Sequence, residues 1–326
     1  MSKPIASAPF TLERRFHAPR ELVFAALTQP EHLSRWMSPP GMTMSTCFVD
    51  LRVGGVFHYD MRLPDGQVWW GLWTFREIVA PERLVVSVQF SDAQRGLAQH
   101  PMAPGWPART LSTTTLTEAD GITTLHLDFR PLETTEAGQA LFDAAHPSMS
   151  MGWNGTMDKL QTHLASIQPA QVALVEPGRI ETTRCFAAPR ELLWRAFTES
   201  GHVEHWWGPQ GFSTQTIEHD VREGGLWRHT MRGPDGKVWP NRIRYTTVRA
   251  PELLEWAHDD DGASGGSEPW FHVTVRLDEV PGGTRVSLVH RFASSAARDA
   301  NIAISGAIQG AKDTMERLSR HLPTMS

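Results

Sequence analysis

The side chains with the clearest chemical potential are aromatic rings, methionines and one histidine that alternate along two stretches of the chain. The alternation of Val56-Phe57-His58-Tyr59-Asp60-Met61 predicts a strand, and three of its side chains share one face: Phe57, Tyr59 and Met61. The same pattern recurs later with Trp227, His229 and Met231. Such side chains pack a core or line a pocket for an apolar ligand. Both interpretations stay open on this pattern alone.

His229 is the one imidazole in this pattern, where the first stretch has Tyr59. An imidazole among aromatic rings can orient a ligand or act as an acid or a base. The commoner role of such a residue is a hydrogen-bonded histidine of the core. No paired base or nucleophile is apparent beside it, so the sequence predicts no catalytic residue.

A metal or phosphate site has little support in the sequence. His202 and His205 are spaced to share a helical face, but His205 corresponds to Arg35 in the earlier repeat, and neither cysteine nor carboxylate accompanies the pair. There is no glycine-rich phosphate loop, nucleophile elbow or carboxylate pair, and Gly54-Gly55 is better explained as a feature of a sheet. We therefore predict no metal and no cofactor.

The two stretches belong to a longer internal repeat. Phe16-His17-Ala18-Pro19-Arg20-Glu21-Leu22 recurs as Phe186-Ala187-Ala188-Pro189-Arg190-Glu191-Leu192, at an offset of 170. The offset holds without a gap as far as Pro64-Asp65-Gly66 and Pro234-Asp235-Gly236. It falls to 158 in the last helix, because the middle loops, residues 91–107 and 259–268, differ in length. One domain has been duplicated, as the length of 326 residues also favours.

Composition excludes several classes of function. Hydrophobic residues make up 40% and charged residues 21%, with a net charge of −5, which is ordinary for a globular protein. No basic cluster is present that would bind nucleic acid, and no apolar run is long enough to span a membrane. The first seven residues lack the apolar core of a signal peptide, and the two cysteines fall at non-equivalent positions. We expect a cytoplasmic protein with reduced cysteines.

The pattern of each copy predicts a strand, two short helices, a series of strands and a helical end. In the first copy the strand covers residues 10–16, the second short helix ends near Trp36, and strands fill 42–90, 109–117 and 122–129. Its end is two helices separated at Pro147. The second copy ends in a helix over 296–322 without a proline.

Several short motifs occur in the same order in both copies. They are Ala18-Pro19-Arg20-Glu21, Trp36, the Asp50-x-Arg-x-Gly-Gly55 segment, Pro64-Asp65-Gly66 and Pro81-Glu82-x-Leu84, with a second set at Ala188 to Glu191, Trp206, Asp220 to Gly225, Pro234 to Gly236 and Pro251 to Leu254. This order resembles the heat-shock-protein-90 ATPase activator homologue-like family of the SRPBCC (START, Bet v-like) superfamily. Trp206-Trp207-Gly208-Pro209 matches the family, whereas Trp36-Met37-Ser38-Pro39 departs from it.

The resemblance implies an α+β protein made of two tandem helix-grip domains. Each would be a curved antiparallel sheet wrapped around a long C-terminal helix, with two short helices after the first strand. We predict a first domain over 1–167, a linker over 168–178 and a second domain over 179–326. By duplication, the two domains are expected to pack as a pseudo-dimer with approximate two-fold symmetry.

The resemblance also implies a cavity between the sheet and the C-terminal helix of each domain. The candidate lining residues in the first domain are Trp36, Phe57, Tyr59, Met61, Phe75, Trp153 and Met157. Those in the second are Trp206, Trp227, His229, Met231, Tyr245, Ile308 and Met315. The alternative is that these residues form only the core, which is the commoner case for such patterns.

Three functions follow as hypotheses. The first is a non-catalytic binding module for a small hydrophobic or aromatic ligand, and the sequence favours it. The second is a protein-interaction module associated with a chaperone, although no segment resembles the separate chaperone-binding region of the eukaryotic activators. The third is a cyclase-like or hydrolase-like enzyme that uses the cavity of the second copy, for which His229 or Tyr59 would be essential.

Overall fold

The repeat in the sequence is a repeat of the structure. A computed structural model describes residues 8–259 and 270–325, so residues 1–7 and all but the first residue of the predicted loop 259–268 lie outside the described residues. The chain divides into two units, Met1–Leu164 and Ala165–Ser326, which we call domain one and domain two. Their predicted two-fold packing stays a prediction.

Among the described residues, domain one contains seven strands and four helices, and the last helix runs three residues past Leu164. Their bounds are β1 Phe10–Phe16, α1 Arg20–Thr28, α2 Pro30–Trp36, β2 Cys47–Val49, β3 Val56–Arg62, β4 Val68–Val79, β5 Arg83–Ser91, β6 Arg109–Ala119, β7 Ile122–Glu133, α3 Glu136–Ala144 and α4 His146–Ile167. The strands form one antiparallel sheet in the order β1-β7-β6-β5-β4-β3-β2. Buried side chains of α4 share a hydrophobic core with the sheet and with α1 and α2.

Domain two repeats this order with one additional strand. Its elements are β8 Gln171–Val175, β9 Arg179–Phe186, α5 Arg190–Thr198, α6 Ser200–Trp206, β10 Ser213–His219, β11 Leu226–Arg232, β12 Val238–Arg249, β13 Leu253–Asp259, β14 Phe271–Val280, β15 Gly283–Arg291, α7 Ser295–Ser305 and α8 Ala307–His321. Its antiparallel sheet has the order β10-β11-β12-β13-β14-β15-β9-β8. The predicted α+β class with two tandem helix-grip domains is confirmed. No helix within the described ranges is both long and apolar enough to cross a bilayer.

The short helix pair after the first strand is closed by a tryptophan in both domains. α1 begins after Pro19 and α2 begins at Pro30, positions where a missing N–H costs little. The indole of Trp36 then donates a hydrogen bond of 2.8 Å to the carbonyl of Ala26, and Trp206 makes the equivalent bond of 3.0 Å to Ala196. The indoles therefore fix the angle between the two helices.

The predicted linker differs from what the structure contains. Within residues 168–178, β8 pairs antiparallel with β9, from Gln171 opposite Thr183 to Val175 opposite Arg179. Gly178, with φ of +58°, completes the turn between the two strands. Val172 and Leu174 stand two residues apart, which is the spacing of side chains on one face of a strand. The prediction of a linker overlooked this pattern.

The uninterrupted final helix predicted over 296–322 is wrong. α7 ends at Ser305, Gly306 adopts a left-handed conformation with φ of +63°, and α8 begins at Ala307. The Gly306 N–H bonds to the carbonyl of Ile302, which is the usual geometry of a helix C-cap. A glycine therefore ends the helix here. In the first domain α3 ends at Ala144 with Ala145 as its C-cap, and Pro147 lies in the first turn of α4 rather than at the break.

The Asp-x-Arg-x-Gly-Gly segment is a structural turn that requires glycine. A β-carbon on Gly225 would lie 2.1 Å from the carbonyl oxygen of Asp220, and one on Gly55 would lie 2.1 Å from that of Asp50. Backbone bonds then join Gly224 and Gly225 to Tyr245 of β12. The motif thus shapes the sheet.

Replacing Gly225 by alanine is expected to destabilise domain two by about 1–3 kcal/mol, because the new methyl group overlaps a backbone oxygen that cannot move freely. The urea midpoint for labelling of Cys185, a buried free thiol of β9, measures this loss. Gly201→Ala in α6 is the matched control, since a β-carbon there meets no atom within 4 Å. It should raise stability by about 0.5–1 kcal/mol. Equal midpoints for the two variants would contradict this explanation of the motif.

Candidate functional site

A concave space lies between the sheet of domain one and its C-terminal helix. It has a larger chamber of about 460 Å³ and a smaller one of about 250 Å³. The two chambers share seven lining residues: Pro39, Tyr59, Met61, Val88, Phe129, Met149 and Trp153. Further rings and apolar side chains of the larger chamber are Met42, Trp69, Phe90, His100, Trp106 and Leu141. We call the two chambers together the domain-one cavity.

Three of the seven residues predicted to line this cavity do so: Tyr59, Met61 and Trp153. The other four are at most 2% exposed, pack in the core and do not line either chamber: Trp36, Phe57, Phe75 and Met157. Phe57 shares a face with Tyr59, but the Tyr59 ring stacks over it at 4.5 Å and Trp73 closes its edge at 5.1 Å. The inner end of β3 is therefore filled, and only its outer end borders the cavity.

Tyr59 reaches its position because Gly71 faces it across β3 and β4. The two residues are register partners, and a β-carbon on Gly71 would lie 2.3 Å from Cζ of Tyr59 and 2.4 Å from its hydroxyl. Burial raises the pKa of the Tyr59 phenol to about 12, against a smaller opposing effect of a hydrogen bond from Trp73. The phenol is therefore protonated at neutral pH.

The loop between β5 and β6 covers part of the cavity with two rings, His100 and Trp106. The His100 ring lies 4.5 Å from that of Phe90 and 5.3 Å from that of Trp106. Trp106 in turn packs 5.5 Å from Phe142 of α3. The loop is thereby attached to both the sheet and the helical end of the domain.

His100 is a neutral hydrogen-bond donor in this loop. Its Nδ1 accepts a bond of 3.1 Å from the backbone N–H of Met102, so the ring proton lies on Nε2. Burial lowers the pKa of His100. The ring therefore offers an N–H group, and no charge, at the cavity wall.

A cation from the last helix holds the segment after the second short helix in both domains. Lys159 Nζ donates to the carbonyl and hydroxyl of Ser38 at 2.7 and 2.8 Å. In domain two Arg317 donates to the carbonyls of Gly208 and Pro209 at 3.0 and 2.9 Å. This fixes Met37 and Pro39 at the wall of the smaller chamber.

The predicted residues of domain two lie between its sheet and helices. Five of them are at most 2% exposed: Trp206, Trp227, His229, Tyr245 and Met315. Met231 and Ile308 are half-buried. Trp207, the counterpart of Met37, packs 5.4 Å from Trp227 and 6.0 Å from Trp256. An indole thus occupies the region where domain one has a thioether.

A pair of histidines joins the second short helix to the last helix in each domain. His32 and His163 approach to 3.1 Å between Nδ1 and Nε2, and His202 and His321 to 3.3 Å. Burial, then the neighbouring His205 and His202, lowers the pKa of His321. Among residues 8–259 and 270–325, no group of three or more histidine, cysteine or acidic side chains is arranged to hold a metal ion.

The family model described as "Activator of Hsp90 ATPase homolog 1-like protein" matches residues 17–165 and again residues 187–323. The chain belongs to that family. It carries the family domain twice, so the tandem duplication predicted from the repeat is confirmed. Within this Activator of Hsp90 ATPase homolog 1-like pair, the segment between β5 and β6 of the first copy is longer than the segment between β13 and β14 of the second.

Several solved structures resemble one half of the chain. Protein Ms6760 from Mycobacterium smegmatis is 26% identical, covers 48% of this chain over 100% of its own length and has a TM-score of 0.43. A protein from Rhodobacter sphaeroides is 26% identical over 48% of this chain and 99% of its own, with a TM-score of 0.42. A Silicibacter pomeroyi protein is 21% identical over 48% and 98%, with a TM-score of 0.39. No curated protein matches the chain.

Sequence reasoning missed most of the cavity wall, including Trp69, Val88, His100, Trp106 and Phe129. One available signal was the length of the loop after β5. Arg83 pairs with Thr115 and Leu253 with Arg276, so the offset has already fallen from 170 to 161 across this loop. The additional residues of the first copy in this chain, with His100 and Trp106 among them, form the cover.

Proposed function

We propose that domain one is a non-catalytic binding module that holds a small hydrophobic or aromatic molecule in its cavity. The observation that carries this proposal is the domain-one cavity itself. Its larger chamber, about 460 Å³, has the size of small-molecule pockets, which is about 300–1,000 Å³. Aromatic rings and methionines from the sheet, the covering loop and α4 surround it.

The wall favours a neutral ligand. In the part of the chain that the structure describes, no aspartate, glutamate, lysine or arginine lines either chamber. Tyr59 and His100 supply an O–H and an N–H group, and their shifted pKa values keep both uncharged near neutral pH. A ring system or acyl chain with a hydrogen-bond acceptor, such as a carbonyl or ether oxygen, matches these groups.

Binding of the neutral fluorescent probe N-phenyl-1-naphthylamine tests the proposal. The full chain is expected to bind the probe with a rise in fluorescence, and Val88→Trp should weaken binding by about tenfold or more, because an indole at Val88 enters both chambers. Val79→Trp, at the exposed end of β4, is the matched control and should leave binding unchanged. Equal binding by both variants would place the probe elsewhere and reject the proposal.

A second candidate is a chaperone-associated role, which rests on the family match across both domains. The description of the family names an activator of a chaperone ATPase. Such a role would depend on the outer surface of the chain rather than on the cavity. Purified Hsp90 with and without the chain provides the test. Stimulation of its ATPase that survives Val88→Trp would support this candidate over the first.

A further inference from the structure

Three positions that line the domain-one cavity are all histidine in domain two. Tyr59, Val88 and Phe129 border both chambers in domain one. Strand pairing identifies their counterparts: Trp73 faces Val88 as Ile243 faces His258, and Phe10 faces Phe129 as Ile180 faces His290. With His229 in place of Tyr59, one phenol and two hydrocarbon side chains become three imidazoles. We call His229, His258 and His290 the histidine wall.

The contacts of domain two place these imidazoles along one face of the sheet. Phe271, the counterpart of Thr110, lies 4.8 Å from the His258 ring and 5.6 Å from the His290 ring. His229 stacks on Trp227 at 4.1 Å. His258 Nε2 donates a 3.0 Å bond to Asn241, the residue that replaces Gly71. The wall therefore runs across β11, β13 and β15.

His229 is the least satisfied member of the wall. It is 1% exposed, and neither ring nitrogen has a hydrogen-bond partner among the residues that the structure describes. A buried polar group without a partner is unusual in a folded protein, and a bound ligand is one way to supply the missing partner. A ligand that reached the wall would complete these hydrogen bonds.

The groups around the wall are uncharged near neutral pH, so an anionic partner would bind there together with a proton. Burial, and then the neighbouring His258 and His219, lowers the pKa of His229 to about 3, and burial with His258 lowers that of His290 to about 4. His219, bonded to Tyr245 and facing Glu204, is also neutral, with a pKa lowered by burial to about 4. Arg317 of α8 is committed to backbone carbonyls. Burial, and to a smaller extent the neighbouring His258, keep His229 and His290 from taking up a proton, and a bound carboxylate would stabilise the protonated form of an imidazole beside it.

We infer that domain two binds an organic acid through the histidine wall, with a carboxylate accepting hydrogen bonds from the imidazoles. One proton from the buffer moves to an imidazole nitrogen as the carboxylate binds, so the domain takes in no net charge. The two domains then select ligands of different chemistry, neutral in domain one and acidic in domain two. This inference rests on the proposed function in one respect: it takes the ligand to contact the same face of the sheet in domain two as in domain one.

Calorimetric titration of the full chain with benzoate, 2-naphthoate and octanoate, each beside its neutral amide, tests the inference between about pH 6 and pH 8. At least one acid is expected to bind once per chain, about tenfold more tightly for each unit by which the pH falls, with one proton taken up. Buffers of different ionisation enthalpy report that proton. Its amide should bind much more weakly.

His258→Val and His290→Phe install the residues of domain one and serve as paired variants. Each should weaken acid binding about tenfold or more and leave N-phenyl-1-naphthylamine binding unchanged. Val88→Trp should weaken N-phenyl-1-naphthylamine binding and leave acid binding unchanged. Failure of this inference and failure of the proposed function therefore give different results. Absence of acid binding, binding without a pH dependence, or stoichiometric Zn²⁺ binding that the same variants abolish would each overturn the inference.

Discussion

Lowering the pH from about 7 to about 4 is expected to destabilise domain two strongly, with a loss of about 3 kcal/mol from His229 alone. The folded-state pKa of His229 is about 3, because burial and two neighbouring histidines disfavour its charged form. In the unfolded chain the imidazole titrates near 6.5. The unfolded state therefore binds the proton first, so stability is full above pH 6.5 and falls as the pH drops toward 3. His219 and His290 act in the same direction.

Domain one should resist acid to a lower pH. Asp60 is fully buried; burial raises its pKa, but hydrogen bonds from Ser45 and Thr46 and the charge of Arg62 lower it further than burial raises it. Its contribution is present above about pH 4 and is lost only below that. The counterpart in domain two is Thr230, which does not titrate.

Labelling of Cys185 in urea measures the stability of domain two in the full chain, with a disulfide reagent that reacts at acid pH, such as 4,4′-dithiodipyridine. The urea midpoint should fall steadily between about pH 6.5 and pH 4. His290→Phe is the matched variant, because it supplies the residue of domain one and should reduce the pH dependence. A midpoint that is equal at pH 7 and pH 4.5 would contradict the burial of neutral histidines.

Replacing Gly71 by asparagine is expected to destabilise domain one by about 2–3 kcal/mol and to abolish probe binding. The new β-carbon would lie 2.3 Å from Tyr59 Cζ and must push the phenol into the cavity. Hydrogen exchange of peptides from β5 to β7 in urea reports the stability of this domain within the intact chain. Probe fluorescence reports the cavity.

The double variant Tyr59→His/Gly71→Asn is the control, because it installs the pair that domain two carries as His229 and Asn241. The shorter imidazole makes room for the β-carbon, so the double variant should be more stable than the sum of the single changes predicts. The expected coupling is about 1–3 kcal/mol. Additive effects would show that the two positions are independent and that Gly71 is not needed for Tyr59.

The fold could be predicted from the sequence because its determinants are local and occur twice. Alternation along β3 correctly assigned Tyr59 and Met61 to one face, and the spacing of apolar residues correctly placed Trp153 on the last helix toward the sheet. The motifs that identified the family are explained by turns and by the indole bonds of Trp36 and Trp206.

The cavity wall could be predicted only in part, because it depends on depth along the sheet and on how a loop folds back. The alternation of side chains along β3 predicts the face on which Phe57 lies. It does not predict that the rings of Tyr59 and Trp73 cover the Phe57 ring. His100 and Trp106 lie in a loop without a regular pattern, so only their contacts in three dimensions place them at the wall. Strand register was also needed to match Val88 and Phe129 with His258 and His290.

Native mass spectrometry of the freshly purified full chain tests the central claim most directly, followed by denaturation and analysis of the released small molecules. The account predicts a neutral apolar or aromatic adduct, one per domain-one cavity, that is lost on denaturation and is missing from Val88→Trp but present in Val79→Trp. An adduct that persists in Val88→Trp would contradict binding in the domain-one cavity. An apo mass for the parent chain, together with no binding of N-phenyl-1-naphthylamine, would contradict the binding-module function itself.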